Sequence, residues 1–356
     1  MSDSLLKLRG RGASSNPTNR FESIILERDA DWDPAQDPAP TTRFLRDASQ
    51  SVITYNDSPD LPFRASINPY RGCEHGCSYC YARNFHEFLG FSAGLDFETK
   101  IMVKEDAPRL LRKELASRAW KPQPLAMSGV TDCYQPVERR LQITRKCLAV
   151  LAEFRNPVSI VTKNHLVTRD IDLLRELARY GAAQVHLSIN SLDAELARKL
   201  EPRASSPRHR LAAVKELTGA GIPVGIIVAP IIPALNDHEI LAVLREAKQA
   251  GAGWAGMQVL RLPLNVAPIF EDWLGRFFPL KKDKVLGRIR AMRGGKLNDA
   301  RFGRRHMAEG LFADQISQMF QVGRHKVGIP EDGPELSMAA FRRPAVAQLE
   351  LPIQGQ

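Results

Sequence analysis

Asn68-Pro-Tyr-Arg-Gly-Cys73-Glu-His-Gly-Cys77-Ser-Tyr-Cys80-Tyr-Ala-Arg83 holds three of the chain's five cysteines, separated by three and then two residues. No fourth cysteine stands in this loop, so its thiolates cannot close a tetrahedral site by themselves. Three thiolates on a four-iron cluster satisfy three irons and leave the fourth free for a small molecule. Zinc would have to recruit His75 to Cys73, Cys77 and Cys80. Zinc sites usually pair one knuckle with a second ligand pair farther along the chain, and no second C-x2-C follows. His75 also lies inside the loop, poorly placed to reach a metal held by its neighbours. Disulfides are disfavoured by the odd cysteine count and by an N-terminus without the charged-then-apolar secretory pattern. A reducing cytoplasm suits free thiolates and clusters, and a cytoplasmic location is expected.

Around this loop the composition is that of a soluble globular chain: 356 residues, 44% hydrophobic and 25% charged, with enough apolar material for one large core. No apolar run approaches the roughly 18–20 residues that span a bilayer, so no membrane partner is expected. The net charge of +10 and pI near 9.5 are compatible with nucleic acid or another acidic partner without being diagnostic.

Residues 1–60 read as a loosely ordered extension. Met1–Arg20 is rich in Ser, Gly, Asn and Arg, and Asp31–Thr42 in Pro and Asp. A transit peptide is the rival reading of the first segment, weakened by the acidic stretch after it. Ser23–Glu27 has the makings of a short docked strand, and Ser51–Tyr55 those of an edge strand. From residue 61 to 265 short apolar strands alternate with helices. The strands expected are Phe63–Asn68, Pro124–Val130, Pro157–Val161, Gln184–Ile189, Pro223–Ala229 and Gly256–Leu260, with Thr99–Val103 a further short extended piece. Between them lie helical patterns over Ala107–Trp120 with Asp106 placed as cap, Val137–Phe154, and Ile171–Arg179 capped by Asp170. Asp193–Leu200, Pro207–Gly219 and Asp237–Ala250 follow. Nearly continuous apolar strands separated by three-turn helices indicate a parallel sheet covered by helices. Six such units suit an open, partial (β/α)6 barrel, whose chemistry belongs at the C-terminal ends of its strands. Residues 266–356 read as a helical region and tail, with helices over Asp283–Met292 and Leu311–Phe320. The basic, glycine-containing loop Arg293–His306 lies between these two helices and could contact phosphates, making nucleic acid a candidate partner.

Polar residues fall where the strands end: Ser128-Gly-Val-Thr131-Asp132-Cys133, Thr162-Lys163-Asn164, Ser188-Ile-Asn190-Ser191 and Val228-Ala229-Pro230. Each has an ordinary explanation, because Ser, Thr and Asn are common caps where a strand passes into a helix. The cysteine spacing, with the aromatic Tyr79 just before the third cysteine, resembles the cluster signature of radical S-adenosylmethionine (SAM) enzymes. More of the chain is similar to spore photoproduct lyase and its radical SAM relatives. The segments that carry this are Cys77-Ser-Tyr79-Cys80-Tyr81, Thr162-Lys163, Ser188-Ile189-Asn190, Glu201-Pro202, Arg210 and Ile227-Val228-Ala229-Pro230-Ile231.

The resemblance runs from about Pro62 to Pro230. It implies a radical SAM barrel with a [4Fe–4S] cluster on Cys73, Cys77 and Cys80, and with S-adenosyl-L-methionine chelating the fourth iron. It implies SAM contacts from Thr131, Lys163, Ser188 and Ala229. Hydroxyl and amide groups suit the ribose (Thr131, Ser188, Asn190), a cation suits the carboxylate (Lys163), and Ile227–Ala229 offers an apolar bed for adenine. Reductive cleavage of SAM would give methionine and a 5′-deoxyadenosyl radical that takes a hydrogen atom from a substrate, nucleic acid being the best single guess. An electron donor such as flavodoxin or ferredoxin is then required. Tyr81 matches a lyase tyrosine that relays a hydrogen atom, with packing behind the cluster as its ordinary role. The lyase's donor cysteine falls on Gly129, which has no thiol; Cys133, four residues on, is the candidate substitute, with a buried core residue as the alternative. Cys147 reads as core, and Glu201 with Arg203 as a mutual ion pair or a carboxylate contact. The rival function is a non-catalytic nucleic-acid-binding module with a structural cluster or zinc.

Overall fold

The computed structural model of the chain describes residues 10–22 and 40–344. The expected strand Ser23–Glu27 and most of Asp31–Thr42 lie outside the described residues. Ten strands follow in chain order: β1 (Arg43–Arg46), β2 (Ile53–Tyr55), β3 (Ala65–Ile67), β4 (Tyr70–Arg71), β5 (Lys100–Val103), β6 (Leu125–Met127), β7 (Val158–Thr162), β8 (Ala183–Ser188), β9 (Val224–Ile231) and β10 (Trp254–Val259). The larger sheet has the order β10-β9-β8-β7-β6-β3-β2. The six strands from β3 to β10 are parallel and follow one another across the sheet in chain order, and only β2 runs antiparallel, on the outer edge of β3. This is the expected partial barrel with the expected edge strand. A smaller sheet, β1-β5-β4, stands beside it, and β4 feeds the cysteine loop.

The helices are α1 (Leu95–Thr99), α2 (Ala107–Ala116), α3 (Glu138–Leu141), α4 (Ile143–Phe154), α5 (Ile171–Ala178), α6 (Ala194–Leu200), α7 (Pro207–Gly219), α8 (Ile240–Gln249), α9 (Val266–Phe277), α10 (Lys282–Ala291) and α11 (Leu311–Val327). The pattern read as one helix over Val137–Phe154 is two, because Gln142 takes a left-handed conformation (φ 53°). The Glu138 carboxylate then accepts from the N–H groups of Thr144 and Arg145 and caps the second helix. Two expected caps are absent. Asp106 has its carboxylate on Arg46 and Arg109. Asp170 has its carboxylate on Arg145, Arg169 and Tyr134. In both cases an arginine outcompetes the local N–H, since a charge-assisted bond is the stronger one. Asp193 and Ser206 do cap α6 and α7.

One apolar core fills the space between the larger sheet and helices α2, α4, α5, α7, α8 and α11. A second joins α6, α9 and α10 to Cys77 and Tyr79 of the cysteine loop, so the C-terminal helices buttress that loop directly. At the N-terminal ends of the strands the Trp254 indole fills the barrel floor. A Cβ on Gly225 would lie 2.2 Å from it and one on Gly333 2.6 Å, which is why both positions lack side chains. The segment read as a tail from Gly328 is a strap across this end: Pro330 C=O accepts from Ala255 N–H, Ser337 N–H donates to Gly181 C=O, and Arg342 N–H donates to Phe154 C=O. No helix among the described residues is long and apolar enough to cross a membrane.

Candidate iron–sulfur and cofactor site

The cysteine loop is held by backbone bonds to two neighbouring segments and by one within itself. Cys73 N–H donates to Phe97 C=O (2.9 Å), Ser78 N–H to Leu200 C=O (3.0 Å) and Cys80 N–H to Cys77 C=O (3.3 Å). Arg83, without solvent exposure, donates from Nε to Cys77 C=O (3.0 Å) and pairs with the equally buried Glu98. Glu98 in turn accepts from the backbone N–H of Gly12 (3.1 Å) and Ala13 (2.9 Å). The stretch from Gly10 to Arg20, read as loose, is therefore pressed onto the loop where it is described. A Cβ at Gly12 would lie 1.8 Å from the Gly76 carbonyl oxygen. The physical reason is charge: two backbone N–H donors finish solvating a carboxylate that one arginine cannot satisfy alone.

All five cysteines are unpaired. Burial pushes the Cys77 thiol well up, the Glu201 charge adds to this, and Lys163 opposes it. Burial and the neighbouring Cys73 raise Cys80. The Cys77 and Cys80 thiols therefore resist ionisation unless a cationic centre draws off their protons, as an iron–sulfur cluster does. Among the described residues no three His, Cys, Asp or Glu side chains gather to hold one metal ion. A cluster does not ask for that, because each thiolate binds its own iron. Zinc does, and its required fourth ligand is taken. The His75 Nδ1 lies 3.3 Å from Asp132 and its Nε2 3.3 Å from the Asn164 amide nitrogen. The donor set fits the cluster and not zinc.

That His75–Asp132 pair lies behind the loop. Burial depresses the imidazole, but the Asp132 charge and Cys73 outweigh it and lift His75 to about 10. Burial likewise opposes ionisation of Asp132, and the His75 charge with the N–H groups of Lys163 and Tyr134 outweighs it, holding the carboxyl at about 2. The folded pKa lies below the ordinary 3.8, so the stabilisation from Asp132 is complete above about pH 4 and is lost as pH falls from there to about 2. The iron-free protein should lose about 2 kcal/mol across that window through this group, and Asp132→Asn should remove that part of the slope. Urea unfolding at several pH values checks it; an unchanged acid slope in the variant refutes it.

The candidate SAM contacts fall on one face of the sheet. Thr162 pairs with Leu187, so Lys163 stands level with Ser188, which pairs with Ile227, itself paired with Gly256. Asn190 and Ala229 lie one pleat farther on the same face. Lys163 has no ion partner among the described residues, and its charge reaches Cys77 and Glu201. Asn190 is buried, and neither its amide oxygen nor its amide nitrogen has a hydrogen-bond partner. Thr131 is also buried, but its hydroxyl donates to Tyr70 C=O (2.7 Å), leaving only acceptor capacity.

Other expectations are redrawn. The Tyr79 hydroxyl donates to Glu201, and Glu201 pairs with Arg210 rather than Arg203. Arg203 pairs with Glu74 (3.0 Å). Helix α7 brings Arg210 into the interior, whereas Arg203 stays at the surface. Cys133 is fully buried in the main core, and burial raises its thiol well above the ordinary value, the setting of an unreactive cysteine. Cys147 is core, as read. Tyr81 is 39% exposed, and its hydroxyl donates to the Gly129 carbonyl (2.6 Å).

Sequence reasoning did not single out Arg261, whose guanidinium lies 5.2 Å from the Tyr81 ring and makes no hydrogen bond or ion pair with a described residue. Spacing carried no sign of it. The basic loop, by contrast, is largely spent within the protein. Arg301 is paired with Asp299, Arg304 with Glu309 and Arg305 with Asp60, and Arg293 donates to the carbonyls of Leu260 and Met307. Gly303 N–H also donates to Asp60 (2.7 Å). The loop thus clasps the β10 edge of the sheet to the segment between β2 and β3 at the other edge.

Residues 67–247 match the family model of the Radical SAM superfamily. An uncharacterised protein of Mycobacterium tuberculosis is 34% identical over 275 residues, 76% of this chain and 79% of that protein. The Radical SAM Nalpha-GlyT isomerase of Pseudomonas phage M6 is 26% identical over 214 residues, 56% of this chain and 42% of that protein. Among solved structures, spore photoproduct lyase complexed with dinucleoside spore photoproduct aligns with a TM-score of 0.56 at 17% identity, covering 80% of this chain and 79% of that one.

Proposed function

We propose a reaction class from one premise: the chain belongs to the Radical SAM superfamily and is one of its enzymes. That premise sets aside the non-catalytic module. The superfamily implies an iron–sulfur cluster and SAM, and in our reading Cys73, Cys77 and Cys80 hold a [4Fe–4S] cluster whose fourth iron takes SAM. When bound, these groups supply reductive cleavage of SAM to methionine and a 5′-deoxyadenosyl radical for hydrogen abstraction. The protein's part is to bind, orient and exclude water. Lys163, with its unpaired ammonium, would meet the methionine carboxylate. Ser188 and Asn190 would hold the ribose, Thr131 would accept from it, and Ile227 with Ala229 would form the apolar bed. Tyr79 is fixed by Glu201 and Arg210 behind the loop. Tyr81, aimed at the Gly129 carbonyl, is the redox-capable side chain at the mouth, while Cys133 serves packing.

The observation that carries this reading is the Asn190 amide, buried with both ends unpartnered. An unsatisfied buried amide costs about 1–3 kcal/mol, which a ligand's hydrogen bonds offset. Asn190→Ala should therefore leave the stability of the ligand-free protein unchanged or slightly raised. It should also weaken SAM binding about 10–100-fold, the equivalent of two lost hydrogen bonds. Calorimetry on the reconstituted protein measures both. A destabilised variant with unaltered SAM affinity would make Asn190 a core residue and remove the support.

A nucleotide-bearing substrate is the finer proposal. It is supported by the unpaired Arg261 over Tyr81 and by the dinucleoside spore photoproduct with which the lyase is complexed. Anaerobic reconstitution, SAM and reductant should yield 5′-deoxyadenosine. Deuterium passing from labelled, UV-treated DNA into it identifies the substrate class; no 5′-deoxyadenosine under any condition refutes the reaction.

A further inference from the structure

The 3-10 helix Tyr81–Leu89 follows Cys80 directly, and the face it turns to solvent is aromatic. Its exposed residues are Tyr81, Phe85 (50%) and Phe88 (68%). Phe21, also exposed, lies against Phe88 with ring centroids 4.8 Å apart and lengthens the row. The helix cannot roll these rings inward, because its other face is spent. Arg83 pairs with Glu98, His86 packs on Phe91 and Phe97, and Asn84 donates to Pro263 C=O (3.0 Å). The Glu87 carboxylate accepts from Arg20 and Asn265. Several large apolar rings left in water on so firmly held an element mark an interaction surface.

What covers it follows from where the row starts and how it is spaced. It starts at Tyr81, in the candidate site, where the Arg261 guanidinium lies 5.2 Å from the ring and pairs with no described residue. The rings are flat π-faces, on which unpaired bases stack irrespective of sequence. A 3-10 helix rises about 2.0 Å per residue, which sets Phe85 and Phe88 about 6 Å apart along the axis. Successive bases in a stacked strand lie only about 3.4 Å apart, so bases that reach successive rings have left their stack. We infer that Phe85 and Phe88, with Phe21, form a stacking platform for the unpaired bases that flank the nucleotide entering the site at Tyr81. The substrate is therefore a single-stranded nucleic acid, and Arg261 complements a phosphate where the strand turns from the platform into the site. The inference rests on the nucleotide-bearing reading above.

The test follows binding of a fluorescein-labelled thymine oligonucleotide to the full-length reconstituted protein by anisotropy, as a single strand and as its duplex with an adenine strand. Phe85→Ala/Phe88→Ala should weaken single-strand binding at least about tenfold, a conservative figure for stacking lost at two bases. Phe85→Tyr/Phe88→Tyr should stay within about threefold of wild type, since both π-faces remain. Both rings are exposed, so urea midpoints should not move in either variant. A smaller loss in the alanine variant, or a larger one in the tyrosine variant, overturns the inference. So does a wild type that holds the duplex as tightly as the single strand. A wild type that is dimeric by light scattering, with a monomeric alanine variant, gives the face to a second copy of the chain and overturns it as well. If the wild type binds neither oligonucleotide, the nucleotide-bearing reading fails and takes the platform with it. If the wild type and the alanine variant bind the single strand equally, that reading stands and the platform alone fails.

Discussion

Cys77→Ser is expected to abolish SAM cleavage. Serine is nearly isosteric, so the fold survives. The bonds that shape the loop use the Cys77 backbone, with Arg83 Nε on its carbonyl, and not its sulfur. What is lost is a soft thiolate in a place where a hydroxyl is a poor iron ligand. Loss of an outer partner to a metal site typically costs about 10–100-fold. Loss of the ligand itself should exceed that, and we expect at least about 10³-fold in 5′-deoxyadenosine formation, or roughly 4 kcal/mol of barrier. Iron and sulfide content per chain should fall with it. Cys147→Ser is the control, because that thiol lies in the core. It should lower stability and leave the cluster intact. If Cys77→Ser retains both iron and turnover, the cysteine loop is not the cluster site.

Arg210→Met should destabilise the protein by about 3–5 kcal/mol, the usual result of stripping one partner from a buried ion pair. Arg210 donates from Nε to Ser205 C=O (2.8 Å) and from one terminal nitrogen to Ser188 C=O (2.9 Å), and its other terminal nitrogen meets Glu201. Removing it leaves the Glu201 carboxylate dry, with only the Tyr79 hydroxyl to solvate it. Replacing both residues with apolar ones (Glu201→Leu with Arg210→Met) should recover much of the loss, since the uncompensated charge goes with them. Urea midpoints of the single and double variants give the measurement. A single variant costing less than about 1 kcal/mol would mean the pair is hydrated, contrary to its burial.

The six parallel strands were legible because a strand buried on both faces reads as an apolar run, and nothing else in the chain competes for that pattern. Lengths were less so: Phe63–Asn68 contributes only Ala65–Ile67 to the sheet, because pairing ends where the partner strand ends. The helices after Asp106 and Asp170 start where they were read, but the side-chain caps are missing, because arginines took both carboxylates. Glu201 with Arg203 failed for a related reason. Two residues apart looks like a pair in sequence, yet α6 and α7 turn Arg210 inward instead. Of the site, the cysteines and the row Lys163, Ser188, Asn190 and Ala229 were visible, because strand ends are marked by polar residues. Arg261, Asp132 as the partner of His75, and Glu98 as the anchor of the N-terminal stretch were not.

Periodicity and spacing are properties of neighbours in the chain, and they suffice for a parallel strand–helix alternation and for a trio of cysteines gathered in one loop. Which carboxylate meets which cation depends on groups tens of residues apart, joined by Coulomb forces that burial strengthens. The folded arrangement therefore settled that His75 is bound to Asp132 and unavailable to zinc, that the basic loop is a clasp, and that the Asn190 amide is buried without a partner.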